Sequence, residues 1–280
     1  MTQPRRKIDC HTHIVTPAIR QEYFSRTNGY AIVMQFLSMF RAPPTPDEAT
    51  DTVRGDARLF LCPCIDIHAD IPTQLAAVEA ALPHERIVGL KIYLTYQSGR
   101  ANDPRMIPIY EFAARHQLTV TYHTGSCALT LPSDNDLDGS NAVYVAEMAE
   151  RYPTVNFIVA HMDDPRYMEC IPIVCAHENM YTDFSGAYEP GTPEGDSMDW
   201  AIDTFARAIR QCPDAYRHIL YGTDFCPPIN LSAIEDYDVT IARLFPAEQH
   251  DDIYFNNALR AFPRIAEYLR KDNSNAKTNV

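Results

Sequence analysis

Two histidines separated by one residue stand near the start of the chain, in the run IDCHTH at positions 8–13. If this run is a β-strand, side-chain alternation places His11 and His13 on one face, together with Asp9. Cys10 should then point away from His11, into a layer of helices. Two imidazoles with an acidic neighbour are typical of one half of a metal site. The pair alone is a weak signal, because such pairs also end strands without binding anything.

Further residues that bind metals or move protons follow later apolar segments of the chain. They are Lys91, His123, His161 and Asp224. Each has an ordinary interpretation: a histidine that hydrogen-bonds at a strand end, an aspartate that caps a helix, or a lysine that extends to the rim. Together with the first strand, which carries His11 and His13, these residues mark five strand ends. A common location for all five is hard to assign to chance. Buried charges and imidazoles are costly unless they are paired or bound to a metal.

The elements that must position these residues alternate regularly along the chain. Eight apolar segments have the length and composition of strands. They are Ile8–His13, Ala31–Phe36, Leu59–Ile65, Val88–Tyr93, Leu118–His123, Asn156–His161, Met180–Asp183 and His218–Tyr221. The second of them could equally be helical. Most of the intervals between them show helical periodicity, and so does the chain after the eighth. The helix candidates are Ile71–Leu82, Met106–His116, Asn141–Arg151, Met168–His177, Met198–Arg210, Leu231–Leu244, Ile253–Phe262 and Ile265–Leu269.

Repeated strand–helix alternation predicts an α/β protein with parallel strands and helical crossovers. Eight units close naturally into a (β/α)₈ TIM barrel, regular or distorted, followed here by C-terminal helices. A doubly wound open sheet is the alternative, but no glycine-rich phosphate loop follows the first strand. In a barrel, groups at the carboxyl ends of strands meet at one mouth. The candidate residues should therefore lie close together.

Composition limits what the chain does. Its 280 residues, 46% of them hydrophobic, are enough for one domain, which we expect to span residues 1–280. The net charge of −13 argues against nucleic acid and against anionic membranes as partners. We find no apolar run long enough for a membrane span and no secretion signal. The eight cysteines match no paired zinc-knuckle spacing, so we expect reduced thiols and a cytoplasmic protein.

Several short motifs of the sequence resemble those of a known family. They are the runs DCHTH at 9–13, VGLK at 88–91, YHTG at 122–125, AH at 160–161, LYGTDF at 220–225 and NAL at 257–259. Together they resemble the amidohydrolase superfamily, in the amidohydrolase-related branch that includes aminocarboxymuconate-semialdehyde decarboxylase. The resemblance spans nearly the whole chain. Its motifs distinguish the superfamily well and the reactions within it poorly.

The resemblance implies a role for each matching position. His11, His13 and His123 would bind a divalent metal, with zinc expected. Asp224 would be the fourth ligand, or would stand between the metal and its water. His161 would hydrogen-bond that water or polarise the substrate.

Lys91 has two interpretations under the resemblance. Binuclear relatives carry a carboxylated lysine at this place, which would bridge two metals. Mononuclear relatives lack that role, and Lys91 would then be an ammonium that holds a substrate carboxylate. We favour the second, and with it one metal ion rather than two.

The leading functional hypothesis is a metal-dependent hydrolase that acts on a small amide, lactone or ester through an activated water. The small-molecule substrate would carry a carboxylate, for which the candidate contacts are Lys91, Arg100, Tyr93 and Tyr96. The first alternative is a lyase, a non-oxidative decarboxylase of a carboxylated aromatic or semialdehyde. The second is a non-catalytic metal-binding barrel, which is disfavoured because structural zinc sites are closed and rich in cysteine. A homodimer is compatible with the sequence.

Overall fold

The computed structural model of the chain describes residues 6–37, 46–126, 137–187, 198–227 and 234–278. Parallel strands follow the predicted order along the chain. They are β1 (Ile8–Thr12), β2 (Tyr30–Met34), β3 (Leu59–Cys62), β4 (Gly89–Tyr93), β5 (Thr119–His123), β6 (Phe157–Val159), β7 (Met180–Asp183) and β8 (Ile219–Leu220). The strands pair in chain order as two parallel sheets, β1–β3 and β4–β8. The second segment, which could have been helical, is a strand.

Backbone hydrogen bonds beyond the regular ladders join the edges of the two sheets. Between β3 and β4, Lys91 N donates to the carbonyl of Pro63 at 2.8 Å. Between β1 and the segment after β8, His13 N donates to the carbonyl of Phe225 at 2.8 Å. The strands therefore surround a common interior, and the predicted (β/α)₈ TIM barrel is confirmed.

Helices follow the strands, and all but the last two cover the outside of the barrel. They are α1 (Pro17–Arg26), α2 (Pro46–Arg54), α3 (Ile71–Ala81), α4 (Ile107–His116), α5 (Ala142–Arg151), α6 (Tyr167–Cys175), α7 (Met198–Ile209), α8 (Ile234–Leu244), α9 (Asn257–Ala261) and α10 (Pro263–Thr278). The predicted start of α8 at Leu231 lies outside the described residues. Within the described ranges, none of these helices has the length and apolar character needed to cross a membrane.

Sequence periodicity missed α1 and α2. In α1 only Tyr23 is buried, so the helix has almost no apolar repeat to detect. Its start is nevertheless marked in the sequence. The side chain of Thr16 accepts a hydrogen bond from Ile19 N at 3.2 Å, and Pro17 occupies the first helical position.

The C-terminal helices close the barrel at the amino ends of the strands. Ala258, Ala261 and Phe262 pack with inward-facing apolar residues of the strands in one buried cluster. Thr119 Oγ1 donates to the carbonyl of Ala261 at 2.5 Å, and Asn156 Nδ2 donates to the same carbonyl at 2.9 Å. This apolar floor leaves the opposite, carboxyl end of the strands as the open mouth.

A β-bulge in β1 changes which side chains face the interior. From Asp9 to Thr12 the strand advances three residues while its partner β2 advances two, from 31 to 33. One extra residue lets two neighbours point to the same side. Cys10 therefore packs in the interior floor cluster, and His11 also turns inward, toward the mouth. The prediction that Cys10 points into the helix layer is wrong for this reason.

Asp9 lies on the other face of β1, so the prediction that it shares a face with the two histidines is also wrong. Its carboxylate accepts hydrogen bonds from Tyr23 Oη at 3.0 Å and from Thr223 Oγ1 at 2.7 Å. It also accepts from the backbone N–H groups of His11 and Thr223. Burial raises the pKa of Asp9 to about 7, although these hydrogen bonds act in the opposite direction. Asp9 thus joins β1 to α1 and to the segment after β8.

Candidate metal centre

Four histidines and one aspartate meet at the mouth of the barrel. The imidazole rings form a chain in which neighbouring centroids are 5.7 Å apart for His13 and His11, 5.0 Å for His11 and His161, and 4.8 Å for His161 and His123. Asp224 lies beside the first two rings. The convergence predicted from separate strand ends is therefore present.

Three of the four predicted ligands offer atoms that a single ion could reach. Asp224 Oδ1 lies 3.2 Å from His13 Nε2 and 3.7 Å from His11 Nε2. One ligand atom from each of these residues lies within 4.8 Å of the other two. His123 lies outside this group, and its Nδ1 is instead 3.1 Å from His161 Nε2.

The local backbone explains why Gly222 and Thr223 precede Asp224. A Cβ atom on Gly222 would lie only 3.2 Å from the Cβ atoms of His11 and Asp183, so a larger residue would crowd the centre. Thr223 anchors the segment on Asp9. Asp224 then adopts a left-handed conformation, with φ of 52°, and its N–H donates to the carbonyl of His11 at 2.8 Å.

Hydrogen bonding fixes the tautomer of His13. Its Nδ1 is 2.9 Å from the carbonyl oxygen of Met34, which can only accept, so we assign the proton to Nδ1. The ring is also stacked on Phe36, with centroids 4.3 Å apart. In the neutral ring, the Nε2 lone pair then faces the Asp224 carboxylate at 3.2 Å. Two acceptors at this distance require a cation between them, either a proton or a metal ion.

His11 is held in the equivalent orientation by residues that the sequence did not single out. Its Nδ1 lies 3.2 Å from Asp183 Oδ2 and 3.0 Å from Ser185 Oγ. An ionised carboxylate only accepts, so Nδ1 carries the proton and Nε2 carries the lone pair that could bind an ion. A carboxylate behind an imidazole is the usual support of a metal-binding histidine.

His161 and His123 present a second pair of facing ring nitrogens. The carbonyl of Ser185 accepts from His161 Nδ1 at 2.7 Å, and the carbonyl of Ser126 accepts from His123 Nε2 at 3.0 Å. His161 reaches this place because β6 ends at Val159, two residues earlier than predicted, and the chain then turns with φ of 59° at His161. The donor set of the mouth is therefore four imidazoles and a carboxylate, which suits a borderline cation such as zinc.

Lys91 lies beneath this cluster and is fully buried. Its Nζ is 3.2 Å from His11 Nε2 and 5.1 Å from the centre of the Tyr93 ring. Burial lowers the pKa of Lys91 to about 8, against the nearby charges of Asp224 and Asp183. The side chain thus approaches the candidate metal position rather than the open mouth.

The other predicted substrate contacts divide into two groups. The rings of Tyr96 and Tyr93 lie 4.7 and 6.0 Å from the ring of His123, so both border the centre. Arg100 is exposed, and its guanidinium lies 5.1 Å from the ring of Tyr144 on α5. The structure therefore places Arg100 against the helix layer.

The electrostatics of the centre keep the carboxylates ionised. Burial alone would raise the pKa of Asp224, but the hydrogen bond with His13 and the charges of His11 and His13 outweigh it and hold the pKa below its usual value. Burial would likewise raise the pKa of Asp183, but the hydrogen bond from His11 and the charge of His11 outweigh it and keep this pKa low.

We expect His11 to contribute a loss of stability to the metal-free protein as the pH falls from about 6.5 to about 4. Burial, and next the charge of Lys91, lower the pKa of His11 from 6.5 to about 4. A pKa that is lower in the folded state than in the unfolded state stabilises the fold at pH values above the unfolded-state pKa. That stabilisation is lost as the pH falls through the folded-state pKa. The loss from His11 is about 3 kcal/mol. Asp9 acts in the opposite direction, because its raised pKa of about 7 adds stability as the pH falls. The His11 contribution is therefore measured as the difference in urea unfolding between the wild type and His11→Gln at several pH values. A difference that does not change across this range would contradict the burial of a neutral His11.

The fold and this cluster together define a (β/α)₈ barrel with a candidate metal centre at the carboxyl ends of its strands. The amidohydrolase family model matches residues 8–264, and the chain belongs to that family. No curated protein shows significant sequence similarity to it.

Solved structures with the same fold are distant in sequence. An uncharacterised TIM-barrel protein from Bordetella bronchiseptica is 14% identical, with a TM-score of 0.67 over 92% of this chain and 99% of that one. An amidohydrolase from Burkholderia multivorans with bound zinc is 14% identical, with a TM-score of 0.63 over the same shares. A 2,6-dihydroxybenzoate decarboxylase from Rhizobium is 13% identical, with a TM-score of 0.59 over 94% of this chain and 99% of that one.

Proposed function

We propose that the chain is a metal-dependent hydrolase that acts on a small, carboxylate-bearing amide, lactone or ester. The proposal rests on one observation: His11 Nε2, His13 Nε2 and Asp224 Oδ1 lie close enough together to bind the same ion. Three nitrogen and oxygen ligands leave further positions open, as in catalytic zinc sites. Asp224 keeps 22% of its side chain exposed, whereas 1% of His11 and 6% of His13 are exposed. The carboxylate therefore stands where a substrate or a water would enter.

Each residue has a defined part in the proposed reaction. His11, His13 and Asp224 would hold a divalent cation, which would lower the pKa of a bound water from about 15.7 to about 7 and so supply hydroxide at neutral pH. The Asp224 carboxylate takes the proton of the attacking water and later passes it to the leaving group. In its assigned tautomer His161 accepts at Nε2, which favours a hydrogen bond from the water over donation to the substrate.

Lys91 takes part at the metal rather than at the substrate carboxylate in this proposal. A protonated amine 3.2 Å from a ligand nitrogen would be repelled by a divalent cation bound there. The neutral amine beside one ion, or a carboxylated Lys91 between two ions, avoids this repulsion. A single ion with a neutral Lys91 needs no further modification, so we propose one zinc ion per chain.

Removal of the metal should abolish hydrolysis, and stoichiometric zinc should restore it. The protein is dialysed against a chelator, assayed on a panel of carboxylated lactones, amides and esters, and titrated with zinc. We expect full recovery near one ion per chain. Recovery only near two ions would assign Lys91 a bridging role, and activity that survives complete metal removal would contradict the proposal.

Decarboxylation of a carboxylated aromatic or semialdehyde is the second candidate. Its support is the aromatic border of the centre, in which Tyr96 lies against His123 and Phe36 against His13. Flat rings beside the ligands suit a planar substrate. A similar fold also carries a 2,6-dihydroxybenzoate decarboxylase. Carbon dioxide release from carboxylated aromatics and semialdehydes, without hydrolysis of the panel above, would favour this reaction.

A further inference from the structure

We infer that Ser185 is a positioning residue whose single hydroxyl orients both His11 and His161 in the metal centre. The inference rests on the proposed function, because it concerns how the ligands of that centre are held. Ser185 follows β7, in a segment that sequence motifs did not mark. Its side chain is buried, with 1% of the residue exposed.

The hydroxyl of Ser185 has three polar neighbours. Its oxygen lies 2.5 Å from Asp183 Oδ1, 3.0 Å from His11 Nδ1 and 2.9 Å from His161 Nδ1. A hydroxyl donates one hydrogen bond and accepts two. Donation to the carboxylate and acceptance from the two imidazoles use this capacity completely.

The consequence is a fixed tautomer in both rings. With the proton on Nδ1, each ring has its Nε2 lone pair toward the mouth, where His11 meets Asp224 and His161 meets His123. Each Nδ1 has a second acceptor, Asp183 Oδ2 for His11 and the carbonyl of Ser185 for His161. Both histidines are therefore held by the same short segment, which couples the orientation of one ring to the other.

The surrounding backbone is shaped to present this hydroxyl. Asp183 Oδ1 also accepts from the backbone N–H groups of Ser185 at 3.1 Å and of His161 at 3.0 Å. Gly186 follows with φ of 70°, and a Cβ atom there would lie 3.2 Å from His161 Nδ1. A side chain at this position would press on the ring that Ser185 orients.

This arrangement also bears on a second group of potential ligands. His11, His161 and Asp183 offer atoms within 4.8 Å of one another. The Ser185 hydroxyl already hydrogen-bonds to all three residues. The two Nδ1 atoms and the Asp183 carboxylate are therefore occupied by hydrogen bonds and not available to bind an ion. We therefore assign Asp183 and Ser185 to the support of the ligands rather than to a separate ion.

Ser185→Ala tests the inference through metal binding. Support of this kind is worth about 10- to 100-fold in metal affinity, and we expect a loss of about 10-fold because each Nδ1 keeps one other acceptor. Affinity is measured by competition of zinc with a chelating dye, and ligand geometry by the visible spectrum of the cobalt-substituted protein. Ser185→Thr retains the hydroxyl and should keep affinity and spectrum near those of the wild type.

Thr182→Val is the matched control. Thr182 is equally buried on β7, and its hydroxyl donates to the carbonyl of Val159 at 2.6 Å, away from the histidines. Both Ser185→Ala and Thr182→Val should reduce the urea midpoint of the metal-free protein, but only Ser185→Ala should weaken zinc binding and change the cobalt spectrum. Unchanged affinity and spectrum in Ser185→Ala would overturn the inference while the metal centre stands. If the wild-type protein binds neither ion, the proposed function itself fails.

Discussion

Replacement of Asp224 by asparagine should lower turnover by about three orders of magnitude and leave most of the metal bound. Asparagine keeps an oxygen near His13 Nε2 and His11 Nε2, which lie 3.2 and 3.7 Å from the native Oδ1. It cannot take a proton from water at neutral pH, so the step assigned to the carboxylate is lost. The measurement is kcat on the best substrate of the panel, together with the zinc content of the purified variant.

Asp66→Asn is the control for this prediction. Asp66 also lies after a strand, but its carboxylate accepts from Gln97 Nε2 at 2.7 Å and lies outside the histidine cluster. We expect its kcat to remain near the wild-type value. Full activity in Asp224→Asn would rule out the proposed general base.

Replacement of His13 by alanine should abolish stoichiometric zinc binding. The change removes Nε2, one of three ligand atoms that lie within 4.8 Å of one another. Loss of support behind a ligand already costs about 10- to 100-fold in affinity, so loss of the ligand itself should cost more than 100-fold. Zinc content after dialysis, measured by mass spectrometry of the metal, should fall below a tenth of an ion per chain.

His68→Ala separates this effect from the general loss of an imidazole. His68 follows β3 and is exposed, and its Nε2 contacts the carbonyl of Gln97 at 2.7 Å. Its removal should leave zinc content unchanged. A His13→Ala protein that retains one zinc ion per chain would show that the ion binds elsewhere.

The barrel could be predicted from the sequence because its strands are buried on both faces. Such strands are short apolar runs that alternate with amphipathic helices. This pattern can be recognised in the sequence even when no tertiary contact is known. Two helices were missed, and of these α1 lacked the pattern. In α1 only Tyr23 is buried, and that side chain reaches Asp9 rather than an apolar stripe. The Thr-Pro pair at its start was the usable signal.

The inward residues of β1 could not be predicted by alternation, because the bulge depends on pairing with β2. Strict alternation gave Cys10 and Asp9 the wrong faces but still placed both histidines at the mouth. Their inward positions were correct because Cys10 and His11 are the two residues that together oppose one residue of β2, so the step from His11 to His13 is regular. Local pattern is reliable only where the ladder is regular.

The supporting residues of the centre were missed for a different reason. Asp183 and Ser185 belong to no motif that marks metal chemistry, and their role arises only when β7 is placed beside β1 and β6. A carboxylate at a strand end was visible in the sequence. Its partners, the Nδ1 atom of His11 at 3.2 Å and the backbone N–H of His161 at 3.0 Å, come from distant parts of the chain.

The most direct test is the anomalous scattering of zinc in crystals of the zinc-loaded protein, measured on both sides of the zinc absorption edge. The account predicts one strong peak at the mouth of the barrel, about 2.0–2.2 Å from His11 Nε2, His13 Nε2 and an Asp224 carboxylate oxygen. A peak bound by other residues, or no peak at these three atoms, would contradict it.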